Sequence, residues 1–287
     1  MSAGSGPRRD TRGIVEAGEL FARVRFRRRR PAAALRPYLE HYWLIDWDLA
    51  EPYASHVVPH PSVNVVFQRY GDEAPWGEVA GVGLELFTQK LEGTGRVCGV
   101  QFRPGGFRPF APGRPVSELT GRRVPLDEVF PGAGTDTGTG GASVPGPASV
   151  VAPDAEDARV AALDAYLLGL GPADDPAALD AMALVERVRG DRAIRRVADF
   201  ARAEGVSVRA LQRLFAGYVG VSPKWVILRY RIHEALERAG AGGAAVEWAH
   251  LAAELGYSDQ AHLVRDFTAT VGVPPTAYAQ GAAASGG

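Results

Sequence analysis

One phrase occurs twice near the C-terminal end of the chain, and it constrains the fold more than any other feature. Leu211-Gln-Arg-Leu-Phe215 is followed by Gly220-Val-Ser-Pro223, and Leu263-Val-Arg-Asp-Phe267 by Gly272-Val-Pro-Pro275. Both copies read L-x-R-x-F-x4-G-V-x-P, and each follows a short apolar helical pattern that ends in glycine, at Gly205 and Gly256. Leu and Phe four residues apart lie on one helix face. Glycine just past a helix supplies the left-handed residue that stops it, and proline suits the first position of the next. The pattern predicts a duplicated helix–turn–helix.

In the first unit Ile194, Val197, Ala198 and Ala201 fall at i, i+3, i+4 and i+7, one face of a helix. Gly205 ends it, and Ser207 is the expected N-cap of the next helix. There Leu211, Leu214, Phe215 and Tyr218 form the inward stripe, while Arg209, Gln212, Arg213 and Ala216 face outward. Such an outer face suits the major groove, because an Arg fork matches guanine O6 and N7 and a Gln carboxamide matches adenine N6 and N7. Arg and Gln also coat solvated helices; the duplication favours the groove. The second unit has Leu251, Ala252 and Leu255 before Gly256, with Ser258 as expected N-cap. Its next helix turns Leu263 and Phe267 inward and Gln260, Ala261, Val264 and Arg265 outward. The step from glycine to phenylalanine is one residue longer here, which predicts a slightly different turn. Between the units, Ser222 starts a long helix to about Ala239 with Trp225, Leu228, Ile232 and Leu236 in its stripe. A strut of that length spans about 27 Å, and successive major grooves lie about 34 Å apart.

Charge is unequal between the units. Asp191 to Arg238 holds ten Lys/Arg against five Asp/Glu, +5; Ala239 to Gly287 holds one against four, −3. Phosphate contacts drive much of DNA affinity, so the first unit is expected to dominate binding.

On these residues the chain resembles the AraC/XylS family of bacterial transcriptional regulators, whose C-terminal domain is two helix–turn–helix units joined by a long helix. The resemblance covers about residues 177–280 and is closest over Leu255-Gly-Tyr-Ser-Asp-Gln-Ala-His-Leu-Val-Arg-Asp-Phe267, with Gly272-Val-Pro-Pro275 and Tyr278. By position it implies base-facing Arg209, Gln212 and Arg213, then Gln260, Ala261, Val264 and Arg265. Leu263 stands where many relatives have Phe, and Ala261 and Val264 often correspond to polar residues, which weakens base reading by the second unit. The N-terminal region resembles a β-rich domain that precedes this module in actinobacterial relatives. That likeness is carried by Pro59-His-Pro-Ser-Val-Asn-Val-Val-Phe67, Phe102-Arg-Pro-Gly-Gly-Phe-Arg-Pro-Phe110 and Pro115-Val-Ser-Glu-Leu119. In the family at large the non-DNA domain senses small molecules or dimerises. The resemblance therefore implies double-stranded promoter DNA as a partner and leaves room for a small-molecule effector, RNA polymerase and a homodimer.

The remaining chain reads as a second domain and its connections. Residues 1–13 are small, polar and charged, an expected disordered tail, as are 281–287. Over 14–132 short alternating runs recur between Gly and Pro clusters: Tyr42–Trp47, Val63–Phe67 and Gly95–Phe102. They predict a β-rich sandwich or cupin-like barrel for sensing or dimerisation. The Gly/Ser/Thr/Pro tract over 133–153 is expected as a flexible linker, followed by a connecting amphipathic helix over 154–176 with Val160, Leu163, Leu167 and Leu168 apolar. A second helix from Pro176 to Val188 carries Leu179, Met182, Val185 and Val188. Both helices suit either a cap on the next core or a dimer contact.

Other constellations are weaker. His41, His56 and His60 lack the H-x-H spacing of a metal cupin, so no metal is expected. Trp43, Trp47, Tyr53 and Trp76 suit an apolar ligand pocket or a core. Arg27–Arg30 is the densest positive run, either a solvated strand edge or an arm reaching phosphate or the helical domain. The single cysteine, Cys98, lies in an apolar run and reads as buried; it excludes a disulfide framework and a cysteine zinc site. No nucleotide-binding or hydrolase motif is present. No cofactor, enzymatic activity or membrane association is expected, and with no signal-peptide or membrane-spanning pattern the expected location is cytoplasmic. The rival reading is a ligand-binding or enzymatic β domain whose helical tail makes only protein contacts.

Overall fold

The computed structural model describes residues 13–132, 144–240 and 246–284. The N-terminal region is built on a seven-stranded antiparallel sheet: β1 (Ile14–Val15), β2 (Arg25–Arg29), β3 (Leu39–Val57), β4 (Asn64–Tyr70), β5 (Trp76–Ala80), β6 (Phe87–Phe102) and β7 (Arg123–Pro125). The order is β1-β3-β6-β4-β5-β7, with β2 also paired to β3. Helix α1 (Ala17–Arg23) joins β1 to β2, and α2 (Leu126–Val129) follows β7. The run Tyr42–Trp47 is apolar on both faces because both faces are covered. Tyr42, Leu44, Phe67, Cys98 and Val100 face one core, fully buried. Trp47, Val66 and Val97 face another, with Ile14 and Leu20. Strand β3 continues far beyond the predicted run. Its pairing with β6 shifts between Leu49 and Tyr53, where Pro52, which has no N–H for the ladder, sits at the irregularity.

Three expectations about the middle of the chain change. Of the linker expected over 133–153, residues 133–143 lie outside the described residues. The rest includes α3 (Pro147–Val151), whose Val150 and Val151 are fully buried in the sheet's core. Two adjacent valines give this Gly/Pro-rich tract something to bury. The helix expected to connect domains, α4 (Glu156–Leu170), instead lies against the sheet: Tyr166 packs edge-on to Phe67, and the Tyr42 hydroxyl donates to Asp164 at 2.7 Å. Its buried face is Arg159, Leu163, Tyr166 and Leu167, while Leu168 is exposed. The arginine run is not a uniformly solvated edge: Arg30 is exposed, Arg28 lines a cleft against the helical region, and the other two are held by carboxylates. Arg27 pairs with Asp46 and Glu156, and Arg29 with Glu156 and Asp157. Asp46 also accepts from Arg96 at 2.7 Å and from Arg159 at 2.9 Å, so one carboxylate ties β2, β3, β6 and α4 together.

The C-terminal region is helical: α5 (Pro176–Gly190), α6 (Val197–Ala203), α7 (Val208–Tyr218), α8 (Pro223–Gly240), α9 (Trp248–Glu254), α10 (Gln260–Val271) and α11 (Pro275–Ala284). The last extends to residue 284, where a tail from 281 was expected; 285–287 and 1–12 lie outside the described residues. Helix α5 buries Ala178, Ala181, Val185 and Val188 and leaves Leu179 exposed. No helix among the described residues is long and apolar enough to cross a membrane.

Candidate nucleic-acid interface

Each unit begins with a helix that ends in the same backbone device. Gly205 N–H donates to the Arg202 carbonyl and Val206 N–H to that of Ala201; Gly256 and Tyr257 repeat the pattern on Ala253 and Ala252. Both glycines are left-handed, at φ 68° and 76°, as this termination requires. The following helices start differently. Ser207 caps α7, its hydroxyl accepting from Ala210 N–H at 3.1 Å. In the second unit the cap is Asp259, accepting from His262 N–H at 2.7 Å, and not the expected Ser258. The extra residue predicted from spacing is Ser258, taken up in the turn before the carboxylate cap. The helix before α7 also differs from expectation. It starts at Val197, so Ile194 precedes it, and it buries Phe200 and Ala201 while Ala198 is exposed.

Leu211 and Phe215 are buried beneath α7, and Leu263 and Phe267 beneath α10. On the opposite face Arg209, Gln212, Arg213 and Ala216 are exposed, as are Gln260, Ala261 and Arg265; Val264 is half-buried. Within each unit the structure brings the sequence-predicted residues to one outer face.

The cations of the first unit divide into two groups. Arg192 pairs with Glu234, Arg202 with Asp199, and Arg238 with Glu234 and Glu254. Arg231 donates to a carbonyl, and Arg229 is buried. Arg195, Arg196, Arg209, Arg213 and Lys224 are exposed and form no ion pair among the described residues. The second unit offers only Arg265, near Asp259 and beside Asp266. Sequence counting sees ten basic residues; it cannot see which ones carboxylates already hold.

Helix α8 joins the units, its first turn capped by Ser222, which accepts from Trp225 N–H at 3.2 Å. It is buried on two sides, through Val226, Ile227, Ile232, Ala235 and Leu236, because the sheet domain and both units pack on it. The expected stripe is rotated: Trp225 and Leu228 are only half-buried. Arg229 donates to the Leu84 carbonyl at 3.0 Å and lies over Trp225, and burial pushes its guanidinium down to about 10. The foot of α7 rests on the sheet domain. Thr120 donates to the Gly220 carbonyl at 2.7 Å, and Arg108 stacks on Tyr218 at 4.4 Å.

The sheet's inner face encloses a cavity of about 240 Å³. Register explains its lining. His41, Gln101 and Asn64 form one cross-strand row; Trp43, Gly99 and Val66 the next; Ile45, Val97 and Gln68 the third; Trp47, Gly95 and Tyr70 the fourth. Of the aromatic residues singled out from sequence, Trp43 and Trp47 line it, whereas Tyr53 is in the core and Trp76 is exposed. The polar residues on this wall were missed, although the alternation Asn64, Val66, Gln68, Tyr70 marks a single face. Arg28, His41, His60, Ser62 and Gln101 also line a cleft of about 380 Å³ walled by α5 and α8. At that cleft His60 stacks on His233 of α8, ring centroids 3.9 Å apart. Cys98 faces the opposite core, and burial raises its thiol to about 11, an inert position.

Residues 200–281 match a family model described as a helix-turn-helix domain, and residues 27–125 match one described as a domain of unknown function (DUF6597). No curated protein matches the chain. Among solved structures, ToxT from Vibrio cholerae is similar. Its P21 form gives a TM-score of 0.40 at 11% identity, over 84% of this chain and 97% of that one. A form with unsaturated fatty acid bound gives 0.41 at 13%, over 83% and 94%. At these values no ligand or residue role carries across.

Proposed function

We propose that this chain, a DNA-binding regulator whose residues 200–281 form an AraC-type helix-turn-helix domain, holds its promoter site mainly through the first of its two readers. The observation that carries this is the division of charge: five exposed cations of the first unit without an ion pair among the described residues, against Arg265 in the second. Each phosphate neutralised releases counterions, so this difference acts on affinity whatever the sequence. Arg209, Gln212 and Arg213 read bases from α7. Gln260 and Arg265 read more weakly from α10, with Ala261 and Val264 in apolar contact with thymine methyls. The rival in which the helical region makes only protein contacts is disfavoured by those two outer faces, which the sheet domain leaves exposed.

The sheet domain acts as a sensor for a small molecule held in its cavity. The support is continuity: five residues line both the cavity and the cleft against α8. A ligand there meets the wall on which the strut between the readers rests. Selection of duplex sites from a random pool by the full chain tests the proposal. The expected result is a motif with a strong and a weak half about one helical turn apart, and a pool with no enriched motif would overturn it.

A further inference from the structure

The sensor reading leaves the chemistry of the ligand open, and the cavity's wall narrows it. Cβ atoms built on Gly99 and Gly95 would fall 2.0 Å from ring atoms of Trp43 and Trp47. Three atoms of each indole would lie within 2.6 Å, so both rings lie flat on the bare strand, with the other face turned from it. Trp43 is fixed edgewise, its Nε1 donating to Asn64 at 3.3 Å. A flat, edge-anchored indole is a surface for stacking another ring.

Most polar groups around this floor are neutral: Ser55, Ser62, Asn64, Gln68 and Gln101, with Arg28 and Arg123 the charged exceptions. Ser55 and Ser62 are over nine-tenths buried, and among the described residues neither hydroxyl has a partner; nor does the Gln101 carboxamide. Buried hydroxyls without partners are rare, and these two line the cavity together with the half-buried Gln101. No Asp or Glu lines it, so a cation has no counter-charge. Its two arginines are engaged: Arg123 pairs with Glu78, and Arg28 donates to His41 at 3.2 Å. An anion would have to compete for them. The volume lies just below the usual range of about 300–1,000 Å³ for ligand pockets, so the occupant is small.

We infer that the cavity binds an uncharged, flat molecule of one or two fused rings, stacked on Trp43 with a donor–acceptor edge toward Gln101 and Ser62. The inference rests on the sensor reading only for its regulatory consequence. Calorimetric titration of the full chain with four probes tests it: 2-quinolinone and 2-naphthol, neutral and flat; 2-naphthoate, flat and anionic; and 1-octanol, neutral and not flat. The first two are expected to bind at least tenfold more tightly than the others. Gln101→Leu is expected to weaken 2-quinolinone at least fivefold, and Trp43→Leu to weaken both flat neutral probes, with circular dichroism and melting temperature confirming the fold of each variant. Tighter binding of 2-naphthoate or 1-octanol, no binding of either neutral ring at millimolar concentration, or indifference of 2-quinolinone to Gln101→Leu in a folded variant would overturn it. Parallel DNA titrations separate the two claims. Rings that bind without altering DNA affinity sink the sensor reading and leave the ligand class standing. DNA affinity that responds only to 2-naphthoate does the reverse.

Discussion

Truncating Arg213 and Arg265 to alanine tests the unequal readers most directly. Both side chains are exposed on the outer face of their helix and form no ion pair among the described residues, so neither truncation breaks a salt bridge or opens a core, and alanine favours the helix. Any affinity loss then reports the DNA contact. A bidentate base contact contributes about 1–3 kcal/mol, or roughly 5- to 150-fold in Kd. Arg213 stands among four other cations without an ion pair among the described residues, which on the proposed docking would hold the DNA backbone in register for it. Arg265 has Asp259 and Asp266 beside it, and carboxylates near phosphate oppose docking. The expected loss is about 10- to 100-fold for Arg213→Ala and under about tenfold for Arg265→Ala on the selected site. Fluorescence anisotropy at fixed ionic strength measures both, with a scrambled duplex as control. Arg213→Ala should lower affinity for the selected site more than for the scrambled one. Lys224→Ala, a phosphate contact, should lower both alike and reduce the salt slope by about one. Equal or reversed losses at Arg213 and Arg265 would refute the division of labour.

Asp46→Asn removes the carboxylate that Arg27, Arg96 and Arg159 share. With Arg159 only 2% exposed, denaturant unfolding should show a loss of about 3–5 kcal/mol. Burial raises the Asp46 carboxyl, but hydrogen bonds from Arg27, Arg159 and Arg96 outweigh it and hold the group below its ordinary value. Its contribution is therefore complete above the unfolded value near 4 and drains as pH falls through the lower folded one. The gap between parent and variant should stay constant from neutral pH to about 4 and shrink below it; a gap that widens in acid would contradict this. Asp259→Ala should lower the melting temperature and Ser258→Ala much less, the opposite of what the sequence spacing predicted, and thermal melts decide. Gly220→Ala meets Thr120 Oγ1 at 2.8 Å on a backbone at φ 89°. It should destabilise by about 1–3 kcal/mol, and an unchanged melting temperature would count against a close fit between Gly220 and the sheet domain.

What the sequence made legible was local and repeated. Glycine at the helix ends, Leu and Phe four apart and the outward faces of α7 and α10 follow from patterns within about a dozen residues. Ser258 and Asp259 are adjacent good caps, and only the backbone chooses between them. Phe200 was passed over because Ile194 and Val197 fit the same period. Long-range pairings stayed hidden: nothing near Arg29 announces that its partners, Glu156 and Asp157, lie far along the chain. For the same reason Val150 and Val151 read as linker, since their burial depends on a sheet formed by earlier strands.

The footing of α7 on the sheet domain has a consequence for how such a molecule can be recombined. Valines and phenylalanines of the first reader share one continuous core with the sheet domain, from Phe67 and Val100 on the strands through Val116 and Leu119 to Phe215 and Val219. The compositional boundary over 133–153 is thus no seam along which the protein comes apart. A foreign sensor grafted at that boundary would have to recreate the ledge under Gly220, and a reader cut free would carry an exposed apolar sole. The parts are separate in sequence signature and inseparable in construction, so exchange between regulators of this build has to move the interface along with the domain.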